Sequence, residues 1–113
     1  MATDMAKDEQ RTLAANLLLE RVELKRDIAQ LKADLSKRAE VIIKLGNLLR
    51  SNAHVVDIDG QNMPPDYAPR AQKFTSEDLD IKRIAALVEE LRSKTDRLTA
   101  TEQQIRSMGY SPE

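Results

Sequence analysis

The feature that most constrains this chain is a run of large apolar residues, spaced alternately by four and three residues, across its first half. Ten positions between residues 17 and 49 follow this spacing, and eight of them are Leu or Ile. They are Leu17, Arg21, Leu24, Ile28, Leu31, Leu35, Arg38, Ile42, Leu45 and Leu49. Since such positions recur on one side of an α-helix, the pattern predicts a long helix that buries this stripe against other helices.

Proline and glycine divide the chain into three parts. Residues 8–50 contain no proline and a single glycine, Gly46, and residues 75–108 contain neither. Three of the four prolines lie between these segments. This distribution predicts a helix at about 8–50, a connector at 51–74 and a helix at about 75–108, within one domain spanning 1–113.

The second helix has its own start, seam and stop signals. Thr75 and Asp78 have capping-box spacing, and Gly109 is suited to the position after the last helical residue. The apolar seam becomes sparser after Leu91, so we expect its C-terminal half to be bound less tightly or to pack on something else. The seam residues are Ile84, Leu87, Leu91, Leu98 and Ile105.

The sequence therefore predicts an all-α fold, a long antiparallel hairpin of two coiled-coil helices. Leu18 and Val22 widen the apolar stripe of the first helix beyond what one partner helix covers. We therefore expect the hairpins to associate into a helical bundle, as a homo-oligomer (a dimer of hairpins or a tetramer), with a protein partner, or both.

The connector is long, at about 24 residues where two to eight is usual, and such loops are commonly functional or disordered. His54 to Gly60 has the pattern of a short strand that ends in an Asp59-Gly60 turn, with Val56 and Ile58 on one face. We expect an ordered segment in the assembly interface or in a partner site, with Val55, Val56, Ile58 and Tyr67 as candidate contacts. The prolines around Tyr67 fit a rigid turn better than a recognition motif for another protein.

No pattern in the sequence indicates catalysis, a cofactor or a metal. Asp57, Asp59 and Asn62 invite comparison with a calcium loop, but Gly60 and Ala68 occupy places where the EF-hand pattern requires other residues. His54 has no partner at a spacing typical of a metal site or a general base. We therefore predict a protein that is not an enzyme.

Charge and hydropathy limit the other partners. The 18 basic and 19 acidic residues nearly balance, which argues against nucleic acid or an anionic membrane. The longest apolar run of the first helix is residues 17–19, too short for a membrane span, so we expect a cytoplasmic protein. Arg21 and Arg38 interrupt the stripe; either they set the helix register or they extend their charges out of the seam.

These features favour a structural or interaction module, a self-associating hairpin that acts as a scaffold or adaptor. The layout of two long helices joined by a β-containing tip is also similar to that of a prefoldin beta subunit. That resemblance implies a holdase-type chaperone that grips clients with apolar residues at the open end, where Leu13, Leu17, Leu18 and Met108 lie. A nucleic-acid-binding regulator is the less favoured reading.

Overall fold

The computed structural model describes residues 2–111, with side chains from residue 7 onward, and shows the predicted pair of long helices and a connector between them. Helix α1 spans Ala2–Ser51 and helix α2 spans Ile81–Ser107. The connector holds strand β1, Val56–Ile58, and strand β2, Gln72–Phe74, each preceded by a short 3-10 turn. The hairpin and the β element in its connector are thus confirmed.

The start of α2 corrects the sequence prediction, since the helix begins at Ile81 rather than at Thr75. The Asp80 carboxylate accepts hydrogen bonds from the backbone N–H groups of Lys82 and Arg83, at 3.0 and 3.2 Å. It therefore satisfies the amides that a helix N-terminus leaves free. The hydroxyl of Thr75 does accept the Asp78 N–H, at 3.3 Å, but this closes a separate turn ahead of the helix.

The end of α2 follows the predicted glycine signal. Gly109 has a φ of 85°, a left-handed conformation that glycine adopts without a Cβ clash. Its N–H donates to the carbonyl of Arg106, at 2.9 Å, and the N–H of Tyr110 donates to the carbonyl of Ile105, at 3.3 Å. This pair of bonds is a Schellman motif, which satisfies carbonyls that the helix end leaves without partners.

Contacts divide the chain into two compact units, and the first combines the α1 residues up to Lys32 with the chain from Val88 onward. In this unit the helices run antiparallel, since Arg21 pairs with Glu102 and Asp27 with Lys94. Its buried residues are Ala14, Leu17, Leu24, Ile28, Thr101 and Ile105. The C-terminal half of α2 is not loosely packed in this unit, because Ile105 is fully buried and the polar Thr101, at a seam position, is buried as well.

The second unit comprises Ala33–Leu87 and contains the two-stranded sheet formed by β1 and β2, called here the tip sheet. Strands β1 and β2 are parallel, with Val56 beside Gln72 and Ile58 beside Phe74. Burial alternates along the strand, and Val56 and Ile58 share one face, but they are half-buried, whereas Val55 and Asp57 on the other face are buried. Phe74 and Leu87 are the other buried apolar residues of this unit.

Candidate interaction surfaces

Charged pairs bridge the two helices of the first unit. The Nε of Arg21 donates to Glu102 at 3.2 Å, and the Nε of Arg97 donates to Glu20 at 2.8 Å. The Nζ of Lys94 donates to Asp27 at 2.8 Å, and this hydrogen bond holds the pKa of the Asp27 carboxyl below its usual value. These pairs connect positions beside the apolar seam, so they help to fix which residues of α1 and α2 face each other.

The predicted interface residues fall into three groups in this chain. Five are buried: Leu17, Leu24, Ile28, Leu87 and Ile105. Six are half-buried: Leu31, Leu35, Leu45, Ile84, Leu91 and Leu98. Two remain exposed: Ile42 by 40% and Leu49 by 54%. The stripe that is buried between residues 17 and 28 is therefore left open to solvent at its later positions.

Within the second unit, α1 presents further exposed apolar or small residues around these two. Ile43 is 62% exposed, and Ala39 and Gly46 are also exposed. A Cβ added to Gly46 would have no side chain and no backbone outside its own stretch of helix within 4 Å. This surface of α1 (residues 35, 39, 42, 46 and 49, called here the distal seam) contains both predicted interface residues that the chain leaves exposed, Ile42 and Leu49.

The first unit has a separate apolar surface near the start of α1. Leu18, Leu19 and Val22 are 37%, 59% and 59% exposed, and Leu13 is 46% exposed. Ala15, Leu18, Leu19 and Val22 are spaced by three, four and seven residues, so they share one side of the helix. Of the residues that the prefoldin resemblance singled out, Leu17 is instead buried and Met108 is half-buried.

The two seam arginines both have partners within the chain. Arg21 pairs with Glu102 across the helices. Arg38 donates from Nε to Asp34, at 3.2 Å, and from Nη1 to the Glu77 carbonyl, at 3.1 Å. Both side chains are half-buried, with their charged ends bonded at the edge of the seam, an arrangement consistent with either sequence interpretation.

The candidate contacts in the connector are only partly accessible in this chain. Val55 is buried, and Val56, Ile58 and Tyr67 are half-buried. The Tyr67 ring contacts His54 edge to face, with ring centres 4.9 Å apart. The N–H groups of Tyr67 and Ala68 both donate to the Pro64 carbonyl at 3.0 Å, so the proline segment forms the expected turn.

An aspartate fastens the tip sheet to the segment that leads into α2. Asp59 adopts a φ of 57°, and its carboxylate accepts hydrogen bonds from both the N–H, at 2.8 Å, and the hydroxyl of Ser76. These bonds favour the charged form, so the pKa of Asp59 is lowered from its usual value. Nearby Asp57 is buried, and its Oδ1 has no hydrogen-bond partner among residues 2–111.

Replacing Asp59 by Asn is expected to reduce the pH dependence of stability in acid. The folded-state pKa of Asp59 is lowered, so its contribution is fully present above the unfolded value near 3.8 and is lost as pH falls through the folded value. Asn also adopts the left-handed backbone conformation of Asp59, so the substitution removes the charge without adding backbone strain. Denaturation of both proteins between about pH 6 and 2 measures this, and parallel pH profiles would contradict it.

A groove in the first unit is lined by several carboxylates, but Lys94 and Arg97 neutralise Asp27 and Glu20 there. Within the part of the chain that the structure describes, no three His, Asp or Glu side chains are placed to hold a metal ion. The helices of that same part lack the combination of length and hydropathy that crossing a membrane requires.

Comparisons with protein-family models, with curated proteins and with solved structures find no match to this chain.

Some contacts of these surfaces were not predicted from the sequence. The pairing of Asp27 with Lys94 and the fastening of Asp59 to Ser76 both join residues far apart in the chain. The pairing of Asp27 with Lys94 had a signal in the sequence, since these opposite charges occupy positions next to the two apolar seams. The contact between Asp59 and Ser76 had no signal in the sequence, because a serine near a helix start ordinarily caps that helix locally.

Proposed function

We propose that this chain is a structural interaction module, a helical hairpin that self-associates and acts as a scaffold or adaptor. The observation that carries this proposal is the exposure of Ile42 and Leu49. Both continue the same heptad stripe as Leu24 and Ile28, which the chain buries. The proposal assigns no reaction to the chain.

The physical support is the arrangement of these side chains rather than their number. Single exposed apolar residues are ordinary on protein surfaces, whereas a contiguous apolar patch marks an interaction surface. Ile42, Leu45 and Leu49 are spaced by three and four residues; Ile42 and Leu49 are exposed, as is Ile43 beside them, while Leu45 is half-buried. Covering apolar surface yields roughly 25 cal/mol per Å², so association stabilises such a patch.

The test is the mass of the purified chain in solution, measured by light scattering at micromolar concentration. We expect a dimer or tetramer. Leu49→Glu places a charge in the apolar patch and is expected to shift the protein to monomer, while the control Asn47→Glu places the same charge on another exposed side of α1. A monomeric wild-type protein, or equal effects of the two substitutions, would contradict the proposal.

A holdase-type chaperone similar to prefoldin is a second candidate, favoured by the exposed residues Leu13, Leu18, Leu19 and Val22. They lie in the part of α1 farthest in sequence from the connector, where the resemblance places client contacts. In this case the wild-type chain suppresses the aggregation of a heat-denatured test enzyme, and the double substitution Leu19→Ser, Val22→Ser removes that effect. Absence of suppression by the wild-type chain would leave the scaffold proposal alone.

A further inference from the structure

Gly46 lies inside α1, where glycine is unfavourable for a helix. The helix continues to Ser51, so Gly46 does not serve as a helix end. An added Cβ would contact nothing within the chain, so no close approach in this fold requires its absence. Since glycine in a helix interior weakens the helix, a close contact from outside the chain would account for it.

The distal seam around Gly46 alternates large and small residues. Leu35, Ala39, Ile42, Gly46 and Leu49 follow one another at spacings of four and three residues. This spacing places all five along one side of the helix, and none of them is charged. Large and small residues in alternation allow a facing helix to interdigitate at close distance.

We propose that the distal seam binds the α1 helix of a second copy of this chain in antiparallel orientation, an inference that rests on the proposed self-association. In this arrangement a two-fold axis passes between the two helices at the level of residue 44. Ile42 of each copy then lies against Gly46 of the other, and Leu49 of each lies against Ala39 of the other. Each of these layers pairs one large side chain with one small one, and Leu35 lies beyond them.

The seam is self-complementary only in this orientation. In a parallel pairing each residue faces its own copy, so Gly46 would face Gly46 and leave a void between layers of facing Leu and Ile. Charge agrees with the antiparallel pairing as well. Arg38 and Arg50 flank the seam, and the two-fold axis brings them to the same level but on opposite sides of it, so like charges do not meet.

A substitution at Gly46 tests the packing directly. Gly46→Ile adds a side chain where the chain itself has open space, and Ile is the better helix former, so the helicity of each chain is retained. The added side chain meets Ile42 of the other copy, and we expect the dimer Kd to rise about tenfold or more. The control Asn47→Ile adds the same side chain one position around the helix and leaves the Kd unchanged.

Gly46→Ile alone also tests the orientation, because in a parallel pair it would fill the void between facing glycines and would not raise the Kd. Exchange of the two residues then tests whether each layer needs one large and one small residue. In the double substitution Ile42→Gly, Gly46→Ile, each layer of an antiparallel pair again combines one large and one small residue. We therefore expect a Kd within about threefold of wild type, whereas Ile42→Gly alone weakens the dimer. A double substitution no tighter than its single components would overturn the antiparallel arrangement.

The outcomes separate this inference from the proposed function. A wild-type chain that stays monomeric at micromolar concentration would overturn both. A wild-type dimer whose Kd is unchanged by Gly46→Ile would overturn only the distal-seam contact and leave self-association standing. Analytical ultracentrifugation of the wild type and the four variants, with circular dichroism as the measure of helicity, distinguishes these results.

Discussion

Replacing Leu87 by Ala is expected to lower the free energy of unfolding by about 2–5 kcal/mol. Leu87 is 1% exposed and is among the most completely buried large side chains of the described residues. Removing three carbons from such a position loses their transfer free energy and leaves a cavity that a long helix closes poorly. Chemical denaturation followed by circular dichroism gives the difference.

The matched control is Glu89→Ala, two residues further along α2. Glu89 is exposed, and Ala is the better helix former, so the free energy of unfolding should change by less than about 0.5 kcal/mol. Both proteins are compared at equal chain concentration, because association also contributes to stability. A Leu87→Ala protein as stable as Glu89→Ala would show that the Leu87 side chain does not contribute to a packed core.

Replacing Phe74 by Ala is expected to open the tip sheet, at a cost of about 3–5 kcal/mol. Phe74 is 6% exposed, and its carbonyl accepts the N–H of Asp59 at 2.9 Å. A two-stranded sheet has little stability of its own, so it depends on packing of this ring. Amide hydrogen exchange of Asp57 and Asp59 should therefore accelerate far more than exchange within α1 or α2.

Lys73→Ala provides the control for the tip, because Lys73 lies in the same strand and is exposed. Its exchange pattern should match that of wild type. If Phe74→Ala left the exchange of Asp59 unchanged, the ring would not be what holds the strands together. If exchange in the wild type were already as fast as in a free peptide, the connector would be a linker without a strand pair.

The two helices could be predicted because their information is local and periodic. The spacing of Leu24, Ile28 and Leu31 identifies one side of a helix without reference to any other part of the chain. The helix start was less certain, because Thr75 and Asp80 both offer capping oxygens within one short segment. Only the structure shows that Asp80 caps the helix and that Thr75 closes the turn before it.

The second strand and its pairing could not be predicted in the same way. Gln72, Lys73 and Phe74 include one apolar residue, too few to show an alternation. Their pairing with Val56–Ile58 joins segments separated by the whole proline-containing loop, and parallel pairing has no turn signal. Exposure of Ile42 and Leu49 likewise depends on the residue at which α2 begins. The periodicity of α1 carries no information about that residue.

The parallel pairing of β1 and β2 determines where the chain tolerates a change in length. Because both strands run in the same direction, the chain crosses back between them in the long loop before β2, and only the few residues between Phe74 and Ile81 lead from the sheet into α2. One residue inserted there would change where α2 starts relative to the sheet, and so would displace the buried Leu87. One residue inserted among residues 61–66 only lengthens a surface loop, at little cost. The short segment between β2 and α2 therefore tolerates a change in length poorly, whereas the longer loop before β2 is free to vary in length.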